Sequence, residues 1–112
     1  MFLMLIAWTT VATPEDASRI AQGAVEARLA ACVQVDGPVT SCYRWEDGIE
    51  SALEYRLTFK LLPEQAAALE AWIHAHHPYK TPEWVVVRAE HLSEKYLSWA
   101  RGTSTPGPFQ KK

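Results

Sequence analysis

Three of the four histidines crowd into His74-Ala75-His76-His77, just before Pro78-Tyr79. A neutral imidazole binds Cu(II), Zn or Ni through a ring nitrogen, so this stretch is the first candidate for metal chemistry. Spacing limits it. His74 and His76 are two residues apart, and on a helix such residues do not share a face. His76 and His77 offer a pair, whereas a closed zinc site takes three or four ligands. The competing reading makes both structural. His76 then packs on the core side, and His77 caps the helix end, where the dipole favours a cation.

Cys32 and Cys42 are the other soft donors. They lack the CxxC spacing of a zinc site. They lie in segments that read as strand, with no secretion signal ahead of them. Free, buried thiols are expected, rather than a disulfide. Glu50 and Glu54 resemble a carboxylate pair, but they alternate with apolar residues and so read as the solvated face of a strand. There is no Ser-centred elbow, no HExxH and no Gly-rich phosphate loop. The chain is therefore not expected to be an enzyme, and no organic cofactor is expected.

The elements that must position these residues are legible in the pattern. With 112 residues, the chain is long enough for one domain with its own core. Its formal net charge of −2 argues against a nucleic-acid partner. The apolar start, Met1 to Trp8, lacks a basic leader and a cleavage site and is too short to span a bilayer. It reads as a buried strand of a cytoplasmic protein with no membrane partner.

Thr13-Pro14-Glu15-Asp16 is a helix start: an N-cap, a proline at the first position, and two acids facing the dipole. Ala17, Ile20, Ala21, Ala24 and Leu29 carry the buried stripe to about Leu29. From Ala31 the pattern turns to strand. Asp36-Gly37-Pro38 interrupts it with a bulge or kink, since proline cannot donate to a ladder. The strand resumes as Val39–Trp45, and Asp47-Gly48 marks a hairpin turn. On the return, Ile49, Leu53, Tyr55, Leu57, Phe59 and Leu61 point one way, with Glu50, Glu54, Arg56, Thr58 and Lys60 opposite. A second helix opens at Pro63-Glu64. Leu69, Trp72, Ile73 and His76 share a face, and Pro78 stops the helix. Glu83–Val87 reads as a last strand, and residues 92–101 as a short helix. Residues 1–101 make the domain, and 102–112 a flexible tail.

The order β-α-β-β-α-β-α places two helices on one face of an antiparallel sheet, an α+β ferredoxin-like βαββαβ sandwich with an extended hairpin and a short C-terminal helix. Each hairpin arm runs about a dozen residues, against a usual strand of ~5–6. One helix per strand pair cannot cover that length. Tyr43, Trp45 and Ile49 near the tip, and the bare sheet face, call for a partner copy.

Four stretches taken together resemble the CutA divalent-cation-tolerance family. They are Arg28-Leu29-Ala30-Ala31-Cys32-Val33, Gly37–Trp45, His77-Pro78-Tyr79-Lys80-Thr81-Pro82-Glu83, and Tyr96-Leu97-Ser98-Trp99. The resemblance covers residues 3–101. It implies a homotrimer of ferredoxin-like subunits whose hairpins extend a neighbour's sheet. It also implies a role in tolerance of copper and other divalent metals, and a likeness to the PII signalling proteins in fold and trimer.

Two sites follow from the resemblance. Copper ligands in bacterial relatives correspond to His76 and His77, with a cysteine at the end of the first strand; here that position is Thr9. The matching segments also gather Tyr43, Arg44, Trp45, Lys60, Tyr79 and Glu83 as an intersubunit pocket for a small effector or protein partner. The plainer account has Tyr43 and Trp45 seal the trimer while Lys60 pairs with a carboxylate.

Overall fold

The computed structural model describes residues 2–104. In order, the elements are β1 (Leu5–Val11), α1 (Pro14–Glu26), β2 (Cys32–Trp45), β3 (Gly48–Leu61), a 3-10 turn (Pro63–Gln65) leading into α2 (Ala66–His76), β4 (Val85–Arg88) and α3 (Glu94–Thr103). The four strands form one sheet in the order β2-β3-β1-β4, with every pairing antiparallel. This is the expected α+β arrangement.

The start of α1 follows the sequence signals. Thr13 Oγ1 accepts the Asp16 N–H at 3.1 Å, and Pro14 takes the first turn. Its end comes earlier than the apolar stripe suggests, at Glu26 rather than near Leu29. Arg28 adopts a left-handed φ of 59°. The Leu29 N–H then reaches the Ala24 carbonyl, and the Arg28 N–H the Val25 carbonyl, both at 3.0 Å. This paired closure is a Schellman motif with arginine where glycine is usual. It turns Leu29 back onto the core, so the residue keeps its buried role outside the helix.

Ala7, Val11, Leu57, Phe59 and Leu61 meet Ala17, Ile20, Ala24, Leu69 and Ile73 in the main core. The small residues of α1 let it sit close to the sheet. A second cluster joins Met4, Ala31 and Leu62 to Leu97 and Ala100 of α3. Gln65 ties the elements together. Its Oε1 accepts the Leu62 N–H at 2.8 Å, while its Nε2 donates to the Arg28 carbonyl at 2.8 Å and to Ser104 Oγ at 3.0 Å. Gly102–Ser104 therefore belongs to the end of α3, not to the tail; the remainder of that tail lies outside the described residues.

Ile6 and Trp8 of β1 pair with Val87 and Val85 of β4. Alternation puts these four on the sheet face opposite the helices, and all four lie outside both core clusters. The hairpin of β2 and β3 runs well past the helices, giving the molecule extents of 50 × 28 × 23 Å. On its outer half Trp45, Ile49 and Leu53 are 62%, 64% and 63% exposed. Among the described residues, no helix is long and apolar enough to cross a membrane.

The interruption in β2 is a bulge. Asp36 pairs with Arg56 and Val39 with Glu54, so β2 spends three residues where β3 spends two. Gly37 carries it at φ +147°, and a Cβ there would stand 2.9 Å from Tyr55 Cδ1 and 3.0 Å from the Glu54 carbonyl oxygen. The extra residue changes the parity of β2. Before it, Gln34 and Asp36 face away from the helices. After it, Ser41, Tyr43 and Trp45 take that face.

Candidate functional site

His76 closes α2 and stays at the surface. Its ring stacks on Trp72 with centroids 4.2 Å apart, and its Nδ1 lies 2.8 Å from the Trp72 carbonyl. That contact makes Nδ1 the donor and turns Nε2 outward as a free acceptor. His77 behaves differently. Pro78 forces it out of the helix to an extended ψ of 136°, and its side chain turns inward and is buried. Its Nδ1 accepts the Tyr79 N–H at 3.0 Å. The proton therefore sits on Nε2, which donates to the Thr10 carbonyl at 2.9 Å with Thr9 Oγ1 at 3.0 Å. Burial pushes the His77 pKa below its usual value, against the opposing pull of the Thr10 bond.

The structural reading of the pair is thus reversed in detail. His77, not His76, is on the core side, and His76 is the exposed residue at the helix end. As metal donors the two are separated. Both nitrogens of His77 are occupied by its own chain, one of them beside Thr9. Among the described residues, no three His, Cys, Asp or Glu side chains converge to hold a metal ion. The described residues of one chain therefore offer no closed metal site. The two cysteines are free, as read from the sequence, but only Cys32 is half-buried; Cys42 is exposed on the outer hairpin, where no helix covers it.

Five of the six residues assigned to a pocket do come together. Tyr43 and Trp45 on β2 face Tyr79 and Glu83 from the loop before β4, around an open cleft of about 1080 Å³ that Arg44, alternating to the other face, also borders. The bulge at Gly37 is what aims Tyr43 and Trp45 to this side. Lys60 stands apart, at the other end of β3, where its Nζ donates to Gln34 Oε1.

The residue at the base of the cleft was assigned elsewhere by the sequence. Glu54 is 9% exposed, not part of a solvated face. Strand parity does place it with Glu50, away from the helices. The loop after α2 then folds over it, and the Tyr79 hydroxyl donates to Glu54 Oε2 at 2.8 Å. Burial, then this bond, pushes the Tyr79 pKa well above its usual value, so the phenol keeps its proton. Glu54 Oε1 makes no protein hydrogen bond among the described residues. Alternation within β3 cannot reveal a cover supplied 25 residues later; the signal was Tyr79, held in place by His77 with ring centroids 4.9 Å apart.

A family model described as CutA1 divalent ion tolerance protein matches residues 5–103. The chain belongs to the CutA1 family. A divalent-cation tolerance protein CutA from Yersinia pestis (strain Pestoides F) is 39% identical over 88 residues, 77% of this chain and 74% of that one. The crystal structure of CutA1 from Ehrlichia chaffeensis superposes with a TM-score of 0.90 at 29% identity, covering 95% of this chain and 99% of that one. CutA from Synechococcus elongatus PCC7942, described as complexed with a Bis-Tris molecule, gives a TM-score of 0.85 at 40% identity, covering 92% and 95%. The CutA1 match takes in β1 through α3, and with them both the histidine pair and the cleft.

Proposed function

We propose that this chain acts in divalent-cation tolerance in the cytoplasm as a non-catalytic homotrimer. The CutA1 match over residues 5–103 is the observation that carries this reading. The physical support for assembly is the uncovered apolar surface. Trp45, Ile49 and Leu53 project from the hairpin, Val85, Val86 and Val87 line an edge strand, and Ile6 and Trp8 continue that surface on the bare face. Both β2 and β4 end the sheet with unpaired backbone. A head-to-tail contact between two different edges forms a ring where the rotation between copies closes, and three copies is the number the family resemblance implies. The non-catalytic role is supported by the cleft itself. Its buried carboxylate is engaged by a tyrosine that holds its proton tightly, a poor arrangement for proton transfer near neutral pH.

Copper or another divalent metal is taken up, on this reading, at exposed imidazole nitrogen rather than at a closed single-chain site. In a Cu(II) titration, His76→Ala weakens imidazole-dependent binding, a His74→Ala, His76→Ala double variant weakens it further, and His77→Gln leaves it in place. Loss on His77→Gln alone would contradict this. The physiological test is growth. Cells lacking the protein should be more sensitive to Cu(II) or Zn(II), and the wild-type gene should restore tolerance. Unchanged sensitivity on deletion would reject the role.

A second reading is favoured by the cleft. Five of the six assigned residues gather around it, and Glu54 has an oxygen to spare. A relative of the same fold is described as holding a small molecule. A PII-like role, with an effector or protein partner at the cleft, would use this feature. Tyr79→Phe, Glu54→Gln variants that restore cation tolerance fully would separate the cleft from that phenotype.

A further inference from the structure

The cleft's lining has a definite charge and character. Three carboxylates, Glu50, Glu54 and Glu83, line it together with Lys80, and Arg44 borders it from a strand position that alternates to the other face. Tyr43, Trp45 and Tyr79 supply aromatic surface. Glu54 sets the chemistry. It is nine-tenths buried, one carboxylate oxygen takes the Tyr79 proton donor at 2.8 Å, and the other has no protein partner. That second oxygen is open to the cleft, since among the described residues Trp84 Nε1 is the one buried side-chain polar atom left without a partner, and a charged N–H donor arriving there would make a strong, charge-assisted hydrogen bond.

We infer that the cleft takes a small organic cation, with an ammonium group at the free oxygen of Glu54 and the aromatic side chains as its walls. This deepens the second reading above and rests on it. An anion is disfavoured by the surplus carboxylate. A bare metal ion is disfavoured by geometry, because the carboxylates around this wide cleft do not converge into one coordination shell among the described residues. Aromatic rings contribute nothing to a hydrated metal ion, whereas they attract an alkylammonium through their negative faces. Tyr79 keeps its proton and remains a donor to Glu54, so Glu54 presents only an acceptor to the ligand.

The test compares shape with charge. 3,3-Dimethylbutylammonium and its uncharged isostere 3,3-dimethyl-1-butanol are titrated into the purified assembly in cacodylate buffer, with spermidine, citrate and Zn(II) alongside. Saturable binding of the alkylammonium or spermidine is expected, about tenfold or more tighter than that of the neutral isostere. Glu54→Gln should weaken it by a similar factor, and Glu50→Gln by less. Equal binding of the alkylammonium and the isostere, stronger binding of citrate, Zn(II) binding that depends on Glu54, or no cation binding at all would overturn the inference. Light scattering on the same samples separates the outcomes. An intact trimer without cation binding rejects the ligand class. A monomer rejects the assembly reading first, and binding measured on that monomer still judges the cleft.

Discussion

His77 joins the end of β1 to the turn after α2 through a single neutral ring. One nitrogen donates to Thr10, the other accepts from Tyr79, and protonation would destroy the second contact. Because folding lowers its pKa below the usual 6.5, the unfolded chain binds this proton more readily than the folded one. The stability it contributes is present above the unfolded pKa and is lost as pH falls through the folded value. Denaturant unfolding should therefore show a loss between neutral and mildly acidic pH that His77→Gln reduces. An identical pH slope in the variant would contradict the assignment. Tyr79→Phe removes the donor to Glu54 Oε2 and should cost about 1–3 kcal/mol, read by the same unfolding measurement. Tolerance of that change within 0.3 kcal/mol or so would mean water replaces the hydroxyl without penalty. Both histidines were legible as lying near the helix end, since Pro78 sets it. Which one turns inward was not, because that depends on Thr9 and Thr10 from a strand 67 residues earlier.

The hairpin is the element that turns a ferredoxin-like sheet into one with a cleft. Its bulge was legible, as Asp36-Gly37-Pro38 leaves a ladder few options. Its consequence was not, because a change of parity matters only once the register with β3 is known. Gly37→Ala places a side chain at a left-handed φ and within 3.0 Å of the Glu54 carbonyl oxygen, so a loss of about 1–3 kcal/mol is expected. Ligand binding at Tyr43 and Trp45 should fall with it. A variant as stable as the parent would show that the bulge is not strained. The alternation in β3 also read correctly, yet its apolar side is buried only from Tyr55 inward. Leu53 and Ile49 continue the same stripe beyond the reach of the helices. Trp45→Ala should weaken assembly more than Trp99→Ala, since Trp99 packs beside Leu97 and Ala100 in the protomer's own second cluster. Equal effects on dissociation would move the contact away from the hairpin tip.

At the scale of the molecule, one chain satisfies the inside of the helix-covered sheet half and leaves the rest uncovered. The fold class, the element order and the two helices on one face were all written in the apolar periodicities and in the cap at Thr13. The uncovered apolar surface of the hairpin was also legible, because strand length and helix length do not match. The cleft was harder to read, since it is assembled from a strand, a bulge and a loop that meet only in three dimensions. In the proposed assembly, the exposed hairpin edge and the bare sheet face around the cleft are buried between three copies, while the cleft itself stays open at the subunit boundary. Multi-angle light scattering on the purified chain tests that assembly most directly. A single species at three times the chain mass, unchanged on dilution to low micromolar concentration, is predicted. A monodisperse monomer would contradict it.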